Sequence, residues 1–329
     1  MLSSVHEVPP LAPVPRRPVR RGPRLRPSTL GLLAVGVALV LGTRIRGLAQ
    51  RPPPATVRPS TFVTRVWDWA DTPAGPMRAV VMLPRSVAPG ERLPLLVALH
   101  GWGEAVRGVE RGAWGWARDY ELGASDAALR RPRLSRDAFL GWVSPGRFAA
   151  LRRDHAARPY QGVVVVAPYT PDYLEPAAAA RVPAYADWIA QVLVPRARRE
   201  LPVLGDRAAT GIDGVSLGGL VALETGFLRP ETFGVVGSLQ AAVLGRTERV
   251  LARRQEGPAR PAQRLRLVTS RGDPLRAANE ALHAALTARG VAHDWRVVEG
   301  PHDYVFNRGA GGVEMLRFHD RALRGEAAE

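Results

Sequence analysis

Two short stretches, LPLLVALHG (93–101) and GVVVVAPY (162–169), restrict the folds open to this chain. Each is a continuous apolar run closed by Gly or Pro, with none of the alternation of a strand that has one wet face. Runs of this kind suit strands covered on both sides, as in a parallel sheet layered between helices. The remaining pattern agrees. FVTRVWDWA (62–70) and MRAVVMLP (77–84) flank the turn cluster DTPAG and predict an antiparallel hairpin. VPAYADWIAQVLVPRARREL (182–201) has helical spacing, with Tyr185, Trp188, Ile189, Val192 and Leu193 on one face. AATGIDGV (208–215), FGVVGSL (233–239), RLRLVTS (264–270) and HDWRVVEG (293–300) read as strands. LGGLVALETGFL, PLRAANEALHAALTARG (closed by Gly290) and GVEMLRFHDRAL read as the helices between and after them. Strands that alternate with helices predict a three-layer α/β fold, with a mainly parallel eight-stranded sheet whose first pair is antiparallel.

Charge divides the chain. All 46 basic side chains are arginine, and the formal net charge is +16. Residues 1–58 hold ten of those arginines against the single acid Glu7, more than half of the excess. The surplus thus sits largely in a tail, and no helix-turn-helix, zinc-finger or RNA-binding signature accompanies it, so nucleic acid is not an expected partner. The tail has the layout of an export signal: a basic run from Arg16 to Arg26, then thirteen uncharged residues from Leu30 to Gly42, then small residues at Gly47 and Ala49. That apolar run is shorter than the roughly 20 residues that cross a bilayer. A membrane tether through residues 30–48 would have to take in Arg44 and Arg46. Residues 1–60 are therefore read as a leader or anchor plus a Pro/Arg-rich linker, which puts the remainder outside the cytoplasm, and residues 61–329 as one catalytic domain. The chain has no cysteine, which excludes disulfides, thiolate catalysis and cysteine-bound zinc.

The chemistry concentrates at GIDGVSLGGL (211–220), where Ser216 stands between Gly214 and Gly218. With 33 glycines and 11 serines in the chain, such a pentapeptide arises by accident about one time in ten, so its surroundings must decide. A nucleophilic serine needs a sharp strand-to-helix turn, a histidine base held by an acid, and backbone donors for an oxyanion. The strand before Ser216 and the helix after it supply the turn. In a parallel sheet the partners belong at the carboxyl ends of later strands. Asp273 follows the strand RLRLVTS, and His302 follows the last strand. His283, His293 and His319 lie within or at the start of regular elements, His100 comes too early, and Asp213 and Asp303 point away. The expected oxyanion donors are the Leu217 N–H and, from the turn LHGWGE, the Trp102 N–H. No metal or cofactor is called for.

LLVALHGWGE, GVVVVAPYTPDY, YADWIAQVLVPRARRELPV, GIDGVSLGGLVAL, TSRGDPLRAANEALHAAL and VVEGPHDYVF together resemble the α/β-hydrolase superfamily. More narrowly they are similar to the esterase group that includes esterase D and the enterochelin and feruloyl esterases. The resemblance implies Ser216 as nucleophile, Asp273 as acid and His302 as base of a carboxylic-ester hydrolase acting on a small-molecule or glycan ester. An acyltransferase built on the same acyl-enzyme, and a non-catalytic envelope binding protein, are the alternatives. The segment 103–160 carries Trp114, Trp116, Trp142, Tyr120 and Phe139 among many arginines. It reads either as a cap over the site, with Arg107 or Arg111 meeting an acidic substrate group, or as helices packed on the sheet.

Overall fold

The hairpin at the start of the folded chain pairs Phe62 with Pro84 and Trp69 with Met77, and its turn closes where Gly75 takes a φ of +99°. The computed structural model describes residues 61–255 and 261–326. The expected export signal or anchor, with its linker, lies outside these residues. Among the described residues no helix is long and apolar enough to cross a membrane. One sheet has the strand order β1-β2-β4-β3-β5-β6-β7-β8. The strands are β1 Phe62–Trp69, β2 Met77–Pro84, β3 Leu95–Leu99, β4 Val164–Pro168, β5 Thr210–Gly214, β6 Val235–Leu239, β7 Arg264–Gly272 and β8 Asp294–Pro301. The first pair is antiparallel and the sheet mainly parallel, as expected from the sequence; β2 also runs antiparallel to β4, which the sequence pattern did not anticipate.

Helices among the described residues include α1 Trp102–Ala105, α2 Leu122–Leu129, α3 Pro145–Ala157, α4 Val182–Trp188, α5 Val194–Glu200, α6 Leu217–Leu228, α7 Thr247–Gln255, α8 Arg276–Ala288 and α9 Gly312–Ala322. They cover both faces of the sheet. Leu95, Val97, Leu99, Val164 and Val166 point into a core completed by Tyr185, Trp188, Leu220, Leu223, Phe227, Leu282 and Leu286. Their neighbours Leu96, Ala98, Val163, Val165 and Ala167 point the other way, against Trp116, Leu129, Leu151, Met315 and Leu316. The continuous apolar runs therefore arise because every residue of β3 and β4 is buried, whichever face it takes. Much of the second core comes from residues 103–160, where Trp116, Tyr120 and Phe139 are buried while Trp142 is exposed.

Chain order runs from β3 toward β1 through β4, then from β5 outward through β8. The carboxyl ends of β3 and β5, paired through Leu99 and Gly214, therefore flank the point where the order reverses. In open α/β sheets that crevice is the preferred place for a ligand.

One helical face differs from expectation. Val192 is 39% exposed, and Val194 takes the buried position instead. Between α4 and α5, residues Ile189–Leu193 form a π turn. Pro195 follows directly and has no N–H to offer the carbonyl four residues back, so the wider turn accommodates it and rotates the later residues.

α9 is buried along its whole length although Glu314, Arg317, His319, Asp320 and Arg321 all lie in it. Their partners come from several elements. Glu314 receives a two-pronged pair from Arg147 at 2.9 and 2.8 Å. His319 Nε2 meets Asp213 Oδ2 at 2.9 Å, and Asp320 accepts the Gly162 N–H at 2.9 Å. Burial pushes the His319 imidazole below its ordinary 6.5 despite Asp213, so it is neutral in the fold. Burial pushes the Glu314 carboxyl up, but Arg147, Arg266 and Arg296 outweigh it and bring it down to about 2. Both groups act in the same direction on acidification. Below pH 6.5 the unfolded chain protonates His319 while the folded chain resists. Below 4.5 the unfolded chain protonates Glu314 first. Stability should therefore fall as pH drops, by up to about 1.4 kcal/mol per pH unit for each group. The urea unfolding midpoint is expected to decline from pH 7 to pH 3, and Glu314→Gln to flatten the part below pH 4.5. A midpoint constant over that range would contradict this account.

Candidate active site

Ser216 occupies a sharp corner between β5 and α6. Its φ is +57° and its ψ −116°, backbone angles that a side chain disfavours at a cost of about 1–3 kcal/mol. Main-chain hydrogen bonds hold it there. Its N–H donates to the Leu239 carbonyl at 2.9 Å, and its own carbonyl accepts the Leu220 and Ala242 N–H groups at 3.1 and 2.9 Å. The corner closes only because two neighbours lack side chains. A Cβ on Gly218 would lie 2.5 Å from the His100 carbonyl oxygen and nearer still to that of Leu99, while one on Gly214 would meet the backbone of Gly218. The strand ends, the turn after β3 and the start of α6 are thus stacked without room for a methyl group.

His302, in the turn after β8, brings the expected partners together. Its Nδ1 lies 2.8 Å from Asp273 Oδ1 and its Nε2 lies 3.0 Å from Ser216 Oγ. A carboxylate only accepts, so Nδ1 carries the proton and Nε2 is left to accept from the serine hydroxyl. Asp273 is fixed as well. Its side chain is fully buried, its Oδ2 accepts the Thr269 hydroxyl at 2.6 Å, and its Oδ1 also accepts the Leu275 N–H at 2.8 Å. Gln240, at the end of β6, was not foreseen. Its amide donates to Ser270 Oγ at 2.7 Å and to the Pro301 carbonyl at 2.8 Å, and Ser270 Oγ donates to the Gly300 carbonyl. The amide thereby ties together the segments that carry Asp273 and His302. Its residue type, a glutamine after an apolar strand, offers no sequence signal for this.

The turn after β3 faces the serine. A Cβ on Gly101 would stand 3.8 Å from that of Ser216. Among the described residues neither the Trp102 N–H nor the Leu217 N–H has an acceptor within the protein. The Trp102 ring is moored by its Nε1–H to Asp172 Oδ2 at 2.7 Å. His100 lies beneath, buried, with Nδ1 3.0 Å from the Gly101 carbonyl and Nε2 accepting the Thr170 N–H at 2.9 Å. Burial lowers its imidazole to about 4, which keeps it neutral and a support for the turn. Arg107, considered for an acidic substrate group, is instead paired with Glu104 at 2.7 Å and Asp119 at 2.6 Å. The other histidines weighed in the sequence stand elsewhere: His283 and His293 pair with each other at 2.8 Å, and His319 with Asp213. Among the described residues no group of three or more His, Asp or Glu side chains is arranged to hold a metal ion.

The geometry makes one substitution diagnostic. Gly218→Ala is expected to lower the unfolding midpoint and to weaken any reaction of Ser216, because the atoms it meets are backbone and cannot swing aside. A Gly218→Ala protein as stable and as reactive as the wild type would count against the close approach described here.

The chain is similar in sequence and fold to known proteins. The family described as Putative esterase matches residues 152–307, the stretch from α3 to just past His302. Over 158 residues the chain is 35% identical to the iron(III) enterobactin esterase of Escherichia coli (strain K12), covering 43% of this chain and 39% of that protein. The match therefore spans about two fifths of the length of that relative. Among solved structures, a ferulic acid esterase from Anaeromyces mucronatus superposes with a TM-score of 0.54 at 14% identity, over 83% of this chain and 94% of the other. The enterobactin esterase of Shigella flexneri superposes with a TM-score of 0.50 at 22% identity, over 81% of this chain and 61% of the other. Residues 152–307, a little under half of the chain, are thus similar to the family described as Putative esterase, and the fold is that of the α/β-hydrolases.

Proposed function

We propose that this chain is a serine hydrolase that cleaves carboxylic esters of small molecules through Ser216, His302 and Asp273. The observation that carries the reading is the single imidazole within hydrogen-bond reach of both other side chains. His302 Nε2 takes the hydroxyl proton as Ser216 Oγ attacks the ester carbonyl carbon, and the carbonyl π pair moves onto oxygen. Asp273 keeps the proton on Nδ1 and stabilises the imidazolium that forms. The Trp102 and Leu217 N–H groups receive the oxyanion, and donors of this kind typically contribute about 3–4 kcal/mol each to the transition state. Collapse of the tetrahedral intermediate breaks the ester C–O bond, and the imidazolium proton goes to the departing alkoxide. Water then attacks the acyl-serine with His302 again as base, releasing the acid and restoring the serine.

Residues 1–60 fit the same reading as an export signal or membrane tether, which would have the enzyme meet its ester outside the cytoplasm. Residues 103–160, besides filling one core, reach the turn after β3, where Tyr120 Oη accepts the Gly101 N–H, and on this reading they act as a cap that shapes the acyl pocket. Esters of ferulic acid are reasonable first substrates, since one relative is named for that acid.

The test uses the full chain, its Ser216→Ala variant and its Asp273→Asn variant. A fluorophosphonate probe should label the wild type and leave Ser216→Ala unlabelled. Hydrolysis of p-nitrophenyl acetate and methyl ferulate should fall roughly 1,000-fold or more in either variant. Turnover by Ser216→Ala equal to that of the wild type would exclude the reading. Wild-type labelling with faster acyl transfer to an added alcohol than to water would turn it into an acyltransferase.

A further inference from the structure

Glu104 lies in α1, two residues beyond the expected oxyanion donor, and its residue is only 1% exposed. A carboxylate buried to that degree needs several donors, and it has them from three places. Tyr304 Oη donates to Oε1 at 2.8 Å, and Arg107 Nη2 donates to the same oxygen at 2.7 Å. Tyr120 Oη donates to Oε2. Two of these donors lead directly to the reacting groups. Tyr304 follows His302 by two residues, and a Cβ on Gly103 would stand 3.2 Å from its hydroxyl. Tyr120 Oη in turn accepts the Gly101 N–H at 3.0 Å, in the turn that presents Trp102.

We infer that Glu104 is a positioning residue, whose carboxylate clamps the turn carrying the Trp102 N–H to the loop carrying His302 and so sets both against Ser216. The inference rests on the esterase reading above. Glu104 receives hydrogen bonds both from Tyr304, in the His302 loop, and from Tyr120, which holds the Gly101 N–H. A neutral amide of the same shape could not replace it. Its single oxygen would serve one side, and its NH2 would face either the Arg107 N–H or the Tyr120 hydroxyl, whose proton would then have lost its acceptor. One buried donor would be left unpaired, and the turn or the loop would be released from the other.

The experiment compares the full-length wild type with Glu104→Gln, Tyr304→Phe and the double variant. The measurements are kcat and KM for p-nitrophenyl acetate, inhibition by a phenylboronic acid that becomes tetrahedral on the serine, and thermal unfolding. Glu104→Gln should lower kcat about 10- to 100-fold while KM changes less than about twofold, and should weaken boronate inhibition by a similar factor, because both report the tetrahedral state. Tyr304→Phe should lower kcat about 3- to 10-fold. The double variant should be no slower than Glu104→Gln alone, since the hydroxyl acts through the carboxylate. A folded Glu104→Gln with unchanged kcat, a change confined to KM, or fully additive losses would overturn the inference. If Glu104→Gln does not fold, Tyr304→Phe decides: unchanged kcat and boronate affinity overturn the clamp. Failure of the wild type to react with a fluorophosphonate would remove the esterase reading and the clamp together, whereas a reactive wild type with unaffected variants removes the clamp alone.

Discussion

The close approach of the corner at Ser216 to the end of β3 governs the rest of this site. Ser216 sits in an unfavourable backbone conformation, and three main-chain hydrogen bonds keep it there. Those bonds form only where the carbonyls of Leu99 and His100 can come against the first turn of α6, which the absence of side chains at Gly214 and Gly218 allows. Packing at this density has no slack, so displacement of the corner would move the turn after β3 with it. The serine hydroxyl, the Leu217 N–H and the Trp102 N–H are consequently parts of one rigid junction, formed where the strand order reverses.

Around that junction the protein buries an unusual amount of charge. Arg266, in β7, has its side chain buried with Asp213 and Glu314 nearby, and burial lowers its guanidinium to about 10 even with those acids present. Glu314, His319 and Asp320 line the helix that covers it. Buried pairs of this sort add little net stability compared with apolar packing, but breaking one leaves an isolated charge at high cost. Their effect here is to fix α9 in a single orientation under β5, β6 and β7. The support for Ser216 from below thus combines these ion pairs with apolar packing by Met315 and Leu316, while the support from the other face, through Leu220, Leu223 and Phe227, is apolar.

The layered fold was largely readable because the sheet signal is redundant. β3 and β4 are apolar at every position, and a strand that must be dry on both faces has few places to go. Asp273 and His302 were readable for a related reason: a parallel sheet delivers its loops to one edge, so position after a strand predicts proximity in space. Val192 was misjudged because helical spacing assumes an unbroken helix, and the π turn before Pro195 shifts the phase. The arginine at 107 looked available because sequence shows its charge and not the two acids that take it up.

Sequence alone determined the order of strands and helices, the antiparallel start, and the two positions, Asp273 and His302, that lie close to Ser216, since all of these follow from local periodicity and from the one-sided geometry of parallel strands. Only the tertiary structure decided what holds that convergence in place. Glu104, Tyr120, Tyr304 and Gln240 come from separate parts of the chain, and each is an ordinary polar residue in its local context. Their roles depend on hydrogen-bond partners that are brought together only when the sheet and its covering helices have packed, because a hydrogen bond requires atoms within about 3 Å and local sequence carries no record of such distances.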